Sequence, residues 1–167
     1  RAAGADMGHP RFERQRIVVA APVDRLDYDP ETTSLSVVYA YDPANVLEAG
    51  IRILHGGPAA TPDSLLGYHF RPPYGWTNDP NGFGRFDGRV HLCYQHYPHR
   101  ARWHAMHWGH TVSDDLLHWR HLPIFLEPDE AVWAANGAGG IFSGTAITVP
   151  GEDGFRAFFT DHLDGRQ

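Results

Sequence analysis

Gly82 to Tyr97 reads GFGRFDGRVHLCYQHY, and the pair Asp87-Gly88 at its centre decides how the rest is read. Asp-Gly between two alternating runs is a strong two-residue hairpin signal, because both positions favour positive φ. Alternation in the second run puts Val90, Leu92 and Tyr94 on one face and His91, Cys93 and Gln95 on the other. MHWGHTVS (106–113) predicts a third strand. HWRHLPIFL (118–126) predicts a fourth, after a turn in DDLLHW. GIFSGTAITV (140–149) and FRAFFTDH (155–162) begin a second group. No stretch keeps a long 3.6-residue period. The chain therefore reads as all-β, with about four short antiparallel strands per unit, as in a propeller blade; a sandwich gives a similar pattern.

Upstream, RIVVAAPV (16–23), SLSVVYAY (34–41) and IRILHGG (51–57) also read as short strands, with DPETTS as a turn between the first two. GGPAATPDS (56–64) has the composition of a linker. Two regions are expected. Residues 1–66 form a small β-rich segment of unknown role, polar and loose at 1–14, and residues 67–167 carry the repeated β units.

The 167 residues carry a formal net charge of -6 and only one short basic cluster, HRAR, so no nucleic-acid footprint is expected. No apolar run reaches the ~18 residues of a membrane span. The opening RAAGADMGHP lacks a signal-like apolar core, which leaves the compartment open between cytoplasm and secretion. The single cysteine, Cys93, excludes an internal disulfide. Eight of the twelve histidines lie between His91 and His121, which invites a metal reading. His104, His107 and His110 are three apart, however, and on a strand such residues face opposite sides. No metal site is expected. His96 and His99 read as solvated loop residues, and Trp108 and Trp119 as core.

Just before the hairpin stands YGWTNDPNG, Tyr74 to Gly82. Asp79-Pro80-Asn81-Gly82 fits a type I turn, with Asp first, Pro second and Gly last. A bland reading makes Asp79 a turn former. Its neighbours favour a site. A sugar site needs a carboxylate, amides for hydroxyls and an aromatic wall for the ring faces. Asp79, Asn78, Gln95, Trp76 and Trp103 supply all of these within a short span. Asp114 and Asp115 read as a solvated turn. Glu127, Asp129 and Glu130 read as a charged loop, and Asp161 is the acid to watch in the second unit.

WTNDPNG, followed in order by HLCYQHYP, WHAMHWGHTVSDDLLHW, LPIFLEPD and FSGTA, resembles the N-terminal part of glycoside hydrolase family 32. The resemblance covers roughly Tyr68 to Thr160. That family contains invertases, β-fructofuranosidases, fructan hydrolases and some fructosyltransferases. It implies a five-bladed β-propeller, of which this chain would hold the first blade and the start of the second. It implies Asp79 as the nucleophile, forming a covalent fructosyl intermediate with retention of configuration. Asn78 matches a hydroxyl-binding residue, and Trp76 heads the same motif. Gln95, Trp103, Phe142 and Ser143 match substrate-binding positions. Thr77 stands where a methionine is more usual. The implied substrates are sucrose or fructans, with no cofactor. The family's acid/base lies in a Glu-Cys pair, and its transition-state stabiliser in an Arg-Asp-Pro motif. Neither motif is present here, so both are expected beyond Gln167, and the chain alone is expected to be inactive. A catalytically inactive sugar-binding propeller and a fructosyltransferase with the same nucleophile fit the same residues. Oligomeric state is not legible.

Overall fold

The computed structural model describes residues 14–23, 25–56 and 69–163. Its elements in chain order are β1 (Val38–Ala40), α1 (Val46–Ala49), β2 (Arg52–His55), β3 (Trp76–Phe86), β4 (Arg89–Tyr97), β5 (His107–Ser113), β6 (Arg120–His121), α2 (Glu130–Ala134), β7 (Gly139–Ile147) and β8 (Arg156–Leu163). The described chain is mostly β-sheet with two short helices. The strands form an up-and-down antiparallel sheet β3-β4-β5-β6 and two antiparallel pairs, β1-β2 and β7-β8.

The hairpin forms as expected. Asp87 and Gly88 have φ of 50° and 79°, the positive pair that a two-residue turn demands. β4 alternates as read, but both of its faces are inside. Cys93 is fully buried and packs with Trp108 and Ile141 beneath the β7-β8 pair. Burial pushes its thiol pKa up to about 12. On the other face Tyr94 meets the Phe70 ring edge-on at 5.0 Å, and Phe70 in turn meets Trp119 at 5.8 Å. Trp108 is 0% exposed, as a core residue should be.

Four expectations fail locally. Residues 16–23 form no strand, because β-branched residues pack into a sheet only against a partner, and Ile17 and Val18 stay 70% and 85% exposed. The strand expected over 118–126 shrinks to Arg120–His121, since Pro123 has no N–H to pair. Beyond it the chain turns back onto β5, where Trp108 N–H donates to Leu126 O at 3.0 Å. His96 is not solvated: it lies in β4 at 1% exposure, while half-buried His99 meets Ser36 Oγ at 2.7 Å. Asp129 is not merely a loop charge, because its carboxylate accepts from Val132 N–H at 3.2 Å and caps α2. The expected linker lies mostly outside the described residues, as do residues 1–13.

The β1-α1-β2 segment grips the outer strand of the four-stranded sheet. Ile51 N–H donates to His121 O at 2.8 Å, and Arg120 Nε donates to Leu47 O at 2.9 Å. Arg89 pairs with Glu48 and also reaches Asp114 at 3.4 Å. Asp114 and Asp115 lie in the expected exposed turn, where Asp115 accepts from Leu117 and His118 N–H groups.

Candidate active site

The Asp79-Pro80-Asn81-Gly82 turn does not form; β3 runs straight through it. Instead β3 bulges twice. Three steps from Thr77 to Pro80 face two steps from His96 to Tyr94, and the slip recurs between Asn81 and Gly84. The first extra residue throws Asn78 and Asp79 out of the ladder and leaves both exposed. Pro80, which has no N–H, sits at that irregularity, where a strand tolerates it. A third bulge lies in β7 between Ile141 and Gly144, and it carries Phe142 and Ser143. The expected catalytic and FSG residues therefore all stand on bulges, which re-aim side chains away from regular pairing.

These bulges meet. Ser143 Oγ donates to Asp79 Oδ2 at 3.1 Å. Trp76 Nε1 donates to Asn78 Oδ1 at 2.7 Å, which orients the amide beside the carboxylate. Trp76 O accepts from His96 Nδ1 at 2.7 Å. A carbonyl only accepts, so Nδ1 carries the proton, and burial keeps the ring neutral by lowering its pKa to about 4.

A row of ties holds β7 against the first sheet. Met106 N–H donates to Gly139 O at 3.0 Å, and Ile141 N–H donates to Met106 O at 2.9 Å. Gln95 Nε2 donates to Ile141 O at 2.8 Å, and Trp108 Nε1 to Phe142 O at 3.0 Å. Gln95 is thus a buried side chain, 3% exposed, with its amide N–H spent on β7. Trp103 is 46% exposed on the loop before β5. Its ring stands edge-on to Phe142 at 6.4 Å, and Phe142 stacks on His162 at 4.4 Å. Trp103 also borders a shallow groove with Arg102, His104, Asn136, Gly137 and Ala138. Asp161 is exposed on β8 opposite Ile141.

Histidines gather in two groups: His99, His104 and His107 meet the Trp133 ring, and His91 pairs with His110. His107 Nδ1 bonds Ala105 O at 2.8 Å, while His110 Nε2 lies 3.0 Å from His91 Nδ1. Among the described residues no group of three or more His, Cys, Asp or Glu is arranged to hold a metal ion. Sequence reasoning missed Asn81, which is 2% exposed and links β3 to β7. A polar residue between a proline and a glycine looked like turn chemistry, and nothing local marks it as a bridge. Chemically, the site offers an exposed carboxylate with a hydroxyl donor, an oriented amide and aromatic faces, a set suited to a sugar ring.

Residues 69–167 match the family model described as Glycosyl hydrolases family 32 N-terminal domain. The chain belongs to this family of glycoside hydrolases. It is similar to sucrose-6-phosphate hydrolase of Escherichia coli, at 45% identity over 100 residues, covering 59% of this chain and 20% of that protein. It is also similar to levanase of Bacillus subtilis (strain 168), at 50% identity over 80 residues, covering 48% of this chain and 11% of that protein. A solved family 32 structure from Bifidobacterium adolescentis superposes with a TM-score of 0.59 at 39% identity, over 68% of this chain and 20% of that one. The chain thus spans a fifth or less of the length of these relatives.

Proposed function

We propose that the chain supplies the nucleophile side of a retaining glycoside hydrolase that releases terminal β-D-fructosyl units from sucrose or fructans. The Asp79–Ser143 hydrogen bond carries this reading, because it holds an exposed carboxylate between two sheets with one oxygen engaged. Asp79 attacks the anomeric carbon of the fructosyl unit. The new carboxylate–carbon bond forms as the glycosidic C–O bond breaks. The leaving oxygen takes its proton from a carboxylic acid on a segment outside these 167 residues, and water then cleaves the ester. Trp76, Trp103 and Phe142 bracket the ring faces, and Asn78 and Ser143 serve its hydroxyls, while buried Gln95 supports β7 from beneath instead of reaching the sugar. Two carboxylates suffice for this chemistry without a cofactor.

The same reading makes β3-β4-β5-β6 the first blade of a five-bladed propeller and β7-β8 the start of the second. Residues 1–66 are then a separate β-rich segment, whose described part reaches that blade through Leu47, Glu48 and Ile51, a division supported by the family match beginning at residue 69. Fructosyl transfer to a sugar acceptor shares the first half-reaction and is separated by product analysis. The deciding experiment is Asp79→Asn in the full-length protein. Turnover of sucrose or a fructan is expected to fall by roughly 10³-fold or more, with substrate binding retained. Normal turnover would falsify the assignment. The 167-residue chain alone is expected to show no turnover, since it supplies only one side of the site.

A further inference from the structure

Asn81 closes a ring of contacts around the Asp79 carboxylate. Its Nδ2 donates to Asp79 O at 3.3 Å, and its Oδ1 accepts from Gly144 N–H at 3.1 Å. Gly144 follows Ser143, whose hydroxyl returns to Asp79 Oδ2. The amide orientation is fixed by its partners, since a carbonyl only accepts and an N–H only donates. At 2% exposure Asn81 lies below the surface on which Asp79 and Ser143 are exposed. Its two bonds fall on bulged stretches of β3 and β7, where regular ladder pairing lapses.

We propose that Asn81 is a positioning residue that sets the separation of the Asp79 carboxylate and the Ser143 hydroxyl by bridging the two bulges. This rests on the reading of Asp79 as nucleophile. A displacement near 1 Å of a reacting group costs about 100-fold in rate. Asn81→Leu keeps the branching at Cγ, in a somewhat larger side chain, and loses both bonds. In the full-length protein its kcat on sucrose or a fructan is expected to fall about 30- to 100-fold, with KM changed by less than about 3-fold. Asn81→Asp keeps the acceptor for Gly144 N–H and loses the donor to Asp79 O at neutral pH. When protonated, the introduced carboxyl supplies that donor again. Its kcat relative to the parent is therefore expected to rise about ten-fold as pH falls from 7 to 5, at temperatures well below unfolding.

Parent-like kcat in Asn81→Leu, with Asp79→Asn inactive, overturns this inference alone. So does a pH-independent ratio for Asn81→Asp, which decides the matter if Asn81→Leu does not fold. Normal turnover by Asp79→Asn overturns the reading beneath it, and this inference with it.

Discussion

Ser143 and Asp79 are 64 residues apart in sequence and 3.1 Å apart as donor and acceptor. The bond joins the exposed bulge of β3 to the exposed bulge of β7, so it forms only when the two sheets are in register with each other. Ser143→Ala removes the donor and leaves the carboxylate in place. Turnover by the full-length protein is expected to fall about 10- to 150-fold, in line with the worth of a hydrogen bond to a charged group. Steady-state kinetics measures this, and an unchanged kcat argues against a role for Ser143 at the nucleophile.

Trp108 is the packing counterpart of that bond. It is fully buried with Cys93 and Ile141, and its indole N–H holds Phe142 O. Trp108→Ala is expected to destabilise the fold by about 3–5 kcal/mol. Trp108→Phe keeps most of the packing but strands the Phe142 carbonyl, at about 1–3 kcal/mol. Chemical denaturation of the two variants separates the contributions.

Acid is expected to weaken the fold. Burial lowers the pKa of His96 to about 4 and that of His110 to about 3, and takes His107 well below the ordinary 6.5. The unfolded chain therefore binds more protons than the folded one between those values and 6.5. This stabilisation is complete above 6.5 and is lost as pH falls toward the folded values, at about 1.4 kcal/mol per pH unit for each histidine. The groups facing His110 are His91, Phe125 and Phe155, and His91 in turn feels Asp87 and Arg89 in opposite senses. Melting temperatures from pH 8 to 4 test the slope. His110→Gln is expected to flatten it by about one histidine's share. An equally steep slope in that variant contradicts the assignment.

Gly50 ends α1 with φ of 69°, and a Cβ there would meet His121 O at 2.8 Å. Gly50→Ala strains the backbone and pushes against β6 at once. A loss of about 1–3 kcal/mol is expected. Proteolysis of residues 36–56 should quicken in the variant, because this segment grips the sheet edge through Ile51 and Leu47.

The Asp87-Gly88 hairpin, the alternation of β4 and the β7-β8 pair were legible because each depends on neighbours in sequence. The family was legible as well, carried by an ordered series of motifs that includes Asp79. Its surroundings were not. Asp79-Pro80-Asn81-Gly82 satisfies every turn preference, yet the pull of β4 on both sides keeps it in a strand and turns its irregularity into bulges. His96 looked solvated because nothing local reveals that Tyr74 packs on its ring at 5.3 Å. The α2 cap is encoded locally, in Asp129 followed by helix formers.

Cys93 is the one thiol in these 167 residues, and it lies in the seam between β4 and β7 with no exposed surface. A thiol so placed reacts with an alkylating reagent only while the seam is open. Its labelling rate is therefore a clock for the parting of the two sheets, read without any engineered probe, at the joint on which the Asp79 and Ser143 contact depends.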